Sequence, residues 1–84
     1  MKKLINEFKN LEEAGKLKII KIDNEILHKV QIRMANKKTI FEIVKMENDS
    51  YFIIKHMPDM IFPCCVVLEE EVIFRLKNLN KISD

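Results

Sequence analysis

A single glycine, two prolines and no tryptophan occur in 84 residues. One glycine cannot supply either common phosphate-cradling loop, since both need several at fixed spacing. So few chain breakers leave regular elements joined by tight connections. The two cysteines, Cys64 and Cys65, are adjacent and offer no disulfide framework, which fits a reducing, cytoplasmic setting. No apolar run approaches the roughly 18–20 residues that a membrane span requires. The start, "MKKLINEFKN", is basic, but charges interrupt every apolar run after it, so no signal peptide is expected. Hydroxyls are scarce too: Thr39, Ser50 and Ser83 are the only serines and threonines, and no nucleophile–base–orienter set assembles from them. A non-enzymatic protein without a small-molecule substrate is the expectation.

What is present is apolar and charged. Hydrophobic residues make up 48% and charged residues 33%, too apolar and too periodic for a disordered chain. The length suits one domain, which at this size buries only about 60–65% of its unfolded surface. Net charge is +2, unevenly spread: residues 1–40 carry ten Lys/Arg against five Asp/Glu, and residues 41–84 five against eight. Contact with polyanions is permitted by this asymmetry but not demanded. Lysine, isoleucine and asparagine are used as in AT-rich bacterial genomes and their phages, which carries no function.

The spacing of Leu4, Ile5, Phe8, Leu11 and Ala14 predicts a helix over residues 2–14, closed by Gly15 in a left-handed cap. From Leu17 to Met57 the period becomes two. "LKIIKI", "EILHKVQIRM", "TIFEIVKM" and "YFIIKHM" read as four strands, separated by the short polar breaks "DN", "ANKK" and "ENDS". "CCVV" suits a short fifth strand. "LEEEVIFRLKNLNK" reads as a helix lined by Val72, Ile73, Leu76 and Leu79, with Glu69–Glu71 at its positive end and Lys77 and Lys81 at its negative end. A strand over "VIFRL" competes. The fold class is α+β: helix, antiparallel meander, helix, in two layers.

Turns fix register, so faces can be aligned. Pairing Met34 with Thr39 sets Ile32 opposite Phe41 and Val30 opposite Ile43. Pairing Met46 with Tyr51 sets Ile43 opposite Ile54 and Phe41 opposite His56. One face then holds Leu17, Ile19, Val30, Ile32, Phe41, Ile43, Phe52 and Ile54, for the first helix to cover. The other carries an apolar stripe of Ile20, Ile40, Val44, Met46 and Ile53 with Tyr51, rimmed by Lys29, Arg33 and Lys55. The second helix can shield only part of that stripe, and exposed apolar patches with polar rims mark interaction sites.

Cys64, Cys65, His28 and His56 invite a zinc reading, but adjacent cysteines in a strand point to opposite faces and structural zinc pairs are spaced by two to four residues. The aligned register also puts the two histidines roughly 13 Å apart. No metal or cofactor is expected. The stretch "PDMIFPCC" reads as an irregular segment in which Met60, Ile61 and Phe62 fold back to plug the sheet edge, with a preformed docking loop as the alternative. What remains is a protein-interaction module, an inhibitor or accessory protein that occludes a partner's surface, using Lys29, Arg33, Tyr51, Ile53 and Lys55. A homodimer is expected, because the half-apolar second face needs cover. RNA or single-stranded DNA on the same basic and aromatic face is the alternative.

Overall fold

The computed structural model describes residues 2–23, 28–35, 38–48, 50–66 and 68–80, with the backbone alone at 65 and 80. Helix α1 spans Lys2–Glu13 and α2 spans Glu70–Asn80; between them run β1 Leu17–Asp23, β2 Lys29–Met34, β3 Ile40–Lys45, β4 Tyr51–His56 and β5 Ile61–Val66. The strands form one antiparallel sheet in the order β1-β2-β3-β4-β5. This is the two-layer α+β meander expected, with five full strands rather than four.

The first helix ends as its sequence implies. Gly15 adopts φ 73°. Its N–H donates to the Glu12 carbonyl, and that of Lys16 donates to the Leu11 carbonyl, closing the last turn with both bonds of a Schellman cap. Leu4, Ile5 and Phe8 are buried and Leu11 partly so. In α2, Val72 and Leu76 are buried, with Ile73 and Leu79 packed alongside. Helix α1 lies against β1 and α2 against β4 and β5. Both feed one cluster with Leu17, Val30, Ile32, Phe41, Ile43, Tyr51, Ile53 and Val66. Each of these large side chains contributes roughly 1.5–3 kcal/mol by leaving water.

Both helices therefore cover the same face of the sheet, and this corrects the expectation that α2 would shield the second face. Their starts are tied together: the Leu4 N–H, one of the free amides of the first turn of α1, donates to Glu69 Oε1 at 3.1 Å. Glu69 thus serves the positive end of α1 rather than of its own helix, where Glu70 and Glu71 remain.

The second correction concerns register. The β2–β3 pairing is as aligned from sequence, with Ile32 opposite Phe41 and Val30 opposite Ile43. In β3–β4 the partners are Ile43 with Ile53 and Phe41 with Lys55, a slip of one residue. Ser50 is the cause. It belongs to the ladder, its carbonyl accepting from the Met46 N–H at 2.8 Å, while its own N–H and hydroxyl turn back onto Asn48 Oδ1. The loop is one residue shorter than "ENDS" suggests, and a one-residue slip exchanges every side chain between faces.

The third lies after β4. Residues 57–60 make a turn closed by Met57 N–H to the Met60 carbonyl, and Ile61–Val66 pair fully with β4. The segment read as an irregular plug is a regular edge strand, and Pro63 is tolerated there as on edge strands generally. A fourth difference is that β2 starts at Lys29, after His28, which has φ 42° and is exposed rather than on the apolar face. The expected places of Ile26 and Leu27, the turn at Asp23-Asn24, the tip at Lys37, the thiol of Cys65, Lys81 and Ser83 lie outside the described residues.

Candidate interaction face

Strand alternation makes the helix-free side of the sheet a grid of cross-strand rows. One row runs Lys18, Arg33, Ile40, His56, Ile61; the next Lys21, Gln31, Glu42, Ile54, Pro63; the third Asp23, Lys29, Val44, Phe52. The β1–β2 half of this outer face is cationic. The β3–β5 half is apolar apart from Glu42 and His56, and Ile61 is 59% exposed at its edge. Met60, in the turn before β5, is exposed beside it.

Glu42 sits in the middle. Gln31 Nε2 donates to its Oε2 at 2.8 Å, Lys29 Nζ lies 3.4 Å from the same oxygen, and His56 Nε2 stands 4.0 Å from Oε1. Partial burial alone would raise the Glu42 carboxyl; the bonds from Gln31 and Lys29, with the charges of Lys29 and His56, outweigh it and hold the group below its ordinary value of 4.5. His56 Nε2 is itself buried without a hydrogen bond. Glu42 therefore neutralises Lys29, whereas Lys18, Lys21 and Arg33 have no ion-pair partner among the described residues.

Of the five residues expected to bind a partner, Lys29 and Arg33 are on this face. Tyr51, Ile53 and Lys55 are not: the register slip turns them inward, where they are 4%, 0% and 0% exposed. Lys55 is the costly one. Its ammonium donates to the Leu79 carbonyl at 3.1 Å, at the negative end of α2, and lies 5.9 Å over the Phe41 ring. A helix terminus and an aromatic face compensate its desolvation. The neighbours Phe52, Ile54 and His56 take the outward places instead. The signal that could have found them was Lys55 itself: read one position out of phase, it lands in the core and selects a face with a helix end above it.

Cys64 is a free thiol packed against the core. Among the described residues no group of three or more His, Cys, Asp or Glu could hold a metal ion, and no helix is long and apolar enough to cross a membrane. No protein-family model, curated protein or solved structure matches this chain.

Proposed function

We propose that the chain is a non-enzymatic interaction module that holds a protein partner on its outer sheet face, as an inhibitor or accessory protein that occludes the partner's surface. The observation that carries the reading is that both helices pack on one side, leaving Ile40, Val44, Phe52, Ile54, Ile61 and Pro63 on the other. Antiparallel sheets with one wet face alternate apolar with polar residues, and the β3–β5 half of this face does not. The contact residues are Lys29 and Arg33 with Phe52, Ile54 and His56. The reading assumes a cytoplasmic protein, consistent with the free Cys64 thiol.

The test is a pair of substitutions on exposed or half-exposed outward positions, Val44→Asp with Phe52→Asp. Immobilised wild-type chain should retain a defined protein from the cytosol of the encoding organism, and the purified partner should re-form the complex with wild type but not with the double variant. Equal retention by both proteins refutes the outer face. A second copy is the competing occupant, and light scattering that shows a dimer dissolved by the same substitutions would establish it.

Nucleic acid keeps one supporting observation: Lys18, Lys21, Lys29 and Arg33 share the face with Phe52. Stacking on an aromatic beside a cationic track is how single strands are held. Against it, Glu42 occupies the centre, and Tyr51, the aromatic on which that reading leaned, is buried. A labelled oligonucleotide shifted in a steeply salt-dependent way would favour it.

A further inference from the structure

We infer that the occupant of the outer face is an acidic amphipathic helix of a partner protein, its apolar stripe on Ile40, Val44, Phe52 and Ile54 and its carboxylates on one flank beside Arg33, Lys18 and Lys21. This rests on the interaction reading above and names the chemistry of the partner.

Charge carries the first step. Among the described residues the strands place four cations on this face, Lys18, Lys21, Lys29 and Arg33, against two carboxylates, Asp23 and Glu42. Glu42 is already committed to Lys29, Gln31 and His56. The three unpaired cations lie together on β1 and β2, beside the apolar half rather than scattered through it. A complementary surface is therefore acidic on one side and apolar on the other.

A second copy does not supply that surface. If two such faces stacked in full overlap about an axis along the strands, the cationic half of each would cover the apolar half of its mate. With the axis across the strands, lysines would stack on lysines. Both arrangements desolvate charges without a counter-charge, which costs more than the apolar contact returns.

The edges exclude strand addition. At β1 the ladder slips between Ile19 and Lys21, a bulge flanked by Lys18 and Lys21. At the other edge β5 contains Pro63, which lacks an amide donor. Bulges, lysines and prolines are the devices that keep sheet edges from pairing. A partner must then approach the face rather than the rim, and a helix can do so with its own backbone bonds satisfied.

A selection on the full chain tests the inference: a display library of helix-forming peptides of about 18 residues, with apolar stripe kept and flank charges randomised. Enriched peptides should carry Asp or Glu along one flank. Their Kd should rise at least about tenfold against Lys18→Glu with Arg33→Glu, and those variants should instead enrich lysine-flanked peptides. Peptides with neutral or basic flanks that bind wild type, and lose binding to Val44→Asp with Phe52→Asp, would overturn the acidic partner while leaving the interaction face in place. Failure to enrich any peptide sensitive to either pair of substitutions would overturn both. Displacement of the peptides by a thymidine oligonucleotide, or a dimer that excludes them, would also overturn the inference, in favour of nucleic acid or of self-association.

Discussion

The two faces of this sheet are built from the same strands, alternate residues of each, and they have different fates. The inner face offers Phe41, Ile43, Ile53 and Val30, each with no exposed surface, beneath two helices. The outer face carries Ile40, Val44, Phe52 and Ile54, half-buried, with neither helix packed over them. On β3 and β4 the two faces are hard to tell apart by hydrophobicity. What separates them is charge placement: the inner face buries Lys55 fully, because a helix terminus lies above it, while the outer face keeps Lys18, Lys21 and Arg33 in water. Burial is thus a guide to which face holds the molecule together.

Substitutions that treat the faces alike should show how unlike they are. The largest effect is expected from Phe41→Ala, about 3–5 kcal/mol in urea unfolding. Phe52→Ala, across one strand and facing out, should cost about 1 kcal/mol or less. Equal losses would mean the outer face is covered after all. Lys55→Ala comes next, at about 2–4 kcal/mol, because it opens space under α2 and takes a donor from the Leu79 carbonyl. A neutral result would show that the buried ammonium is stabilised no better than a hole. Gly15→Ala probes the cap rather than either face: nothing crowds the new Cβ, yet φ 73° disfavours it, so the loss should be about 1 kcal/mol.

The smallest effect belongs to Glu42. Its carboxyl is held below the ordinary value, so it stabilises the folded state above about pH 4.5, and that contribution is lost as pH falls through the lowered value. Glu42→Gln should flatten the stability profile on its acid side, below the ordinary carboxyl value of 4.5, and cost ~0.5 kcal/mol at neutrality. An unchanged acid limb would show that the Lys29–Glu42–His56 cluster contributes nothing to stability.

Much of this architecture was legible in the sequence, and the two failures share a cause. Helix α1 could be placed from Leu4, Phe8 and Gly15 because amphipathic spacing and a cap residue agree. The β2–β3 register followed from Val30, Ile32, Phe41 and Ile43 because polar residues alternate with them. In β4 that alternation is missing: "YFIIKH" is apolar at four consecutive positions, so its phase depends on whether Ser50 is loop or ladder. Tyr51, Ile53 and Lys55 were assigned to the wrong face for that reason alone. The side taken by α2 was equally hidden, since its stripe fits either face. The outward places of Lys29 and Arg33 were legible because β2 alternates without ambiguity.

By itself, the sequence determined two amphipathic helices around an antiparallel meander, a capped first helix and a cationic β1–β2 half, all properties of local spacing and charge. Only the tertiary structure decided which face of β4 is sealed and that both helices share one side. A hairpin's phase and a helix's docking side are set by contacts between distant segments, such as Lys55 with Leu79 and Leu4 with Glu69. No window of neighbouring residues contains those contacts.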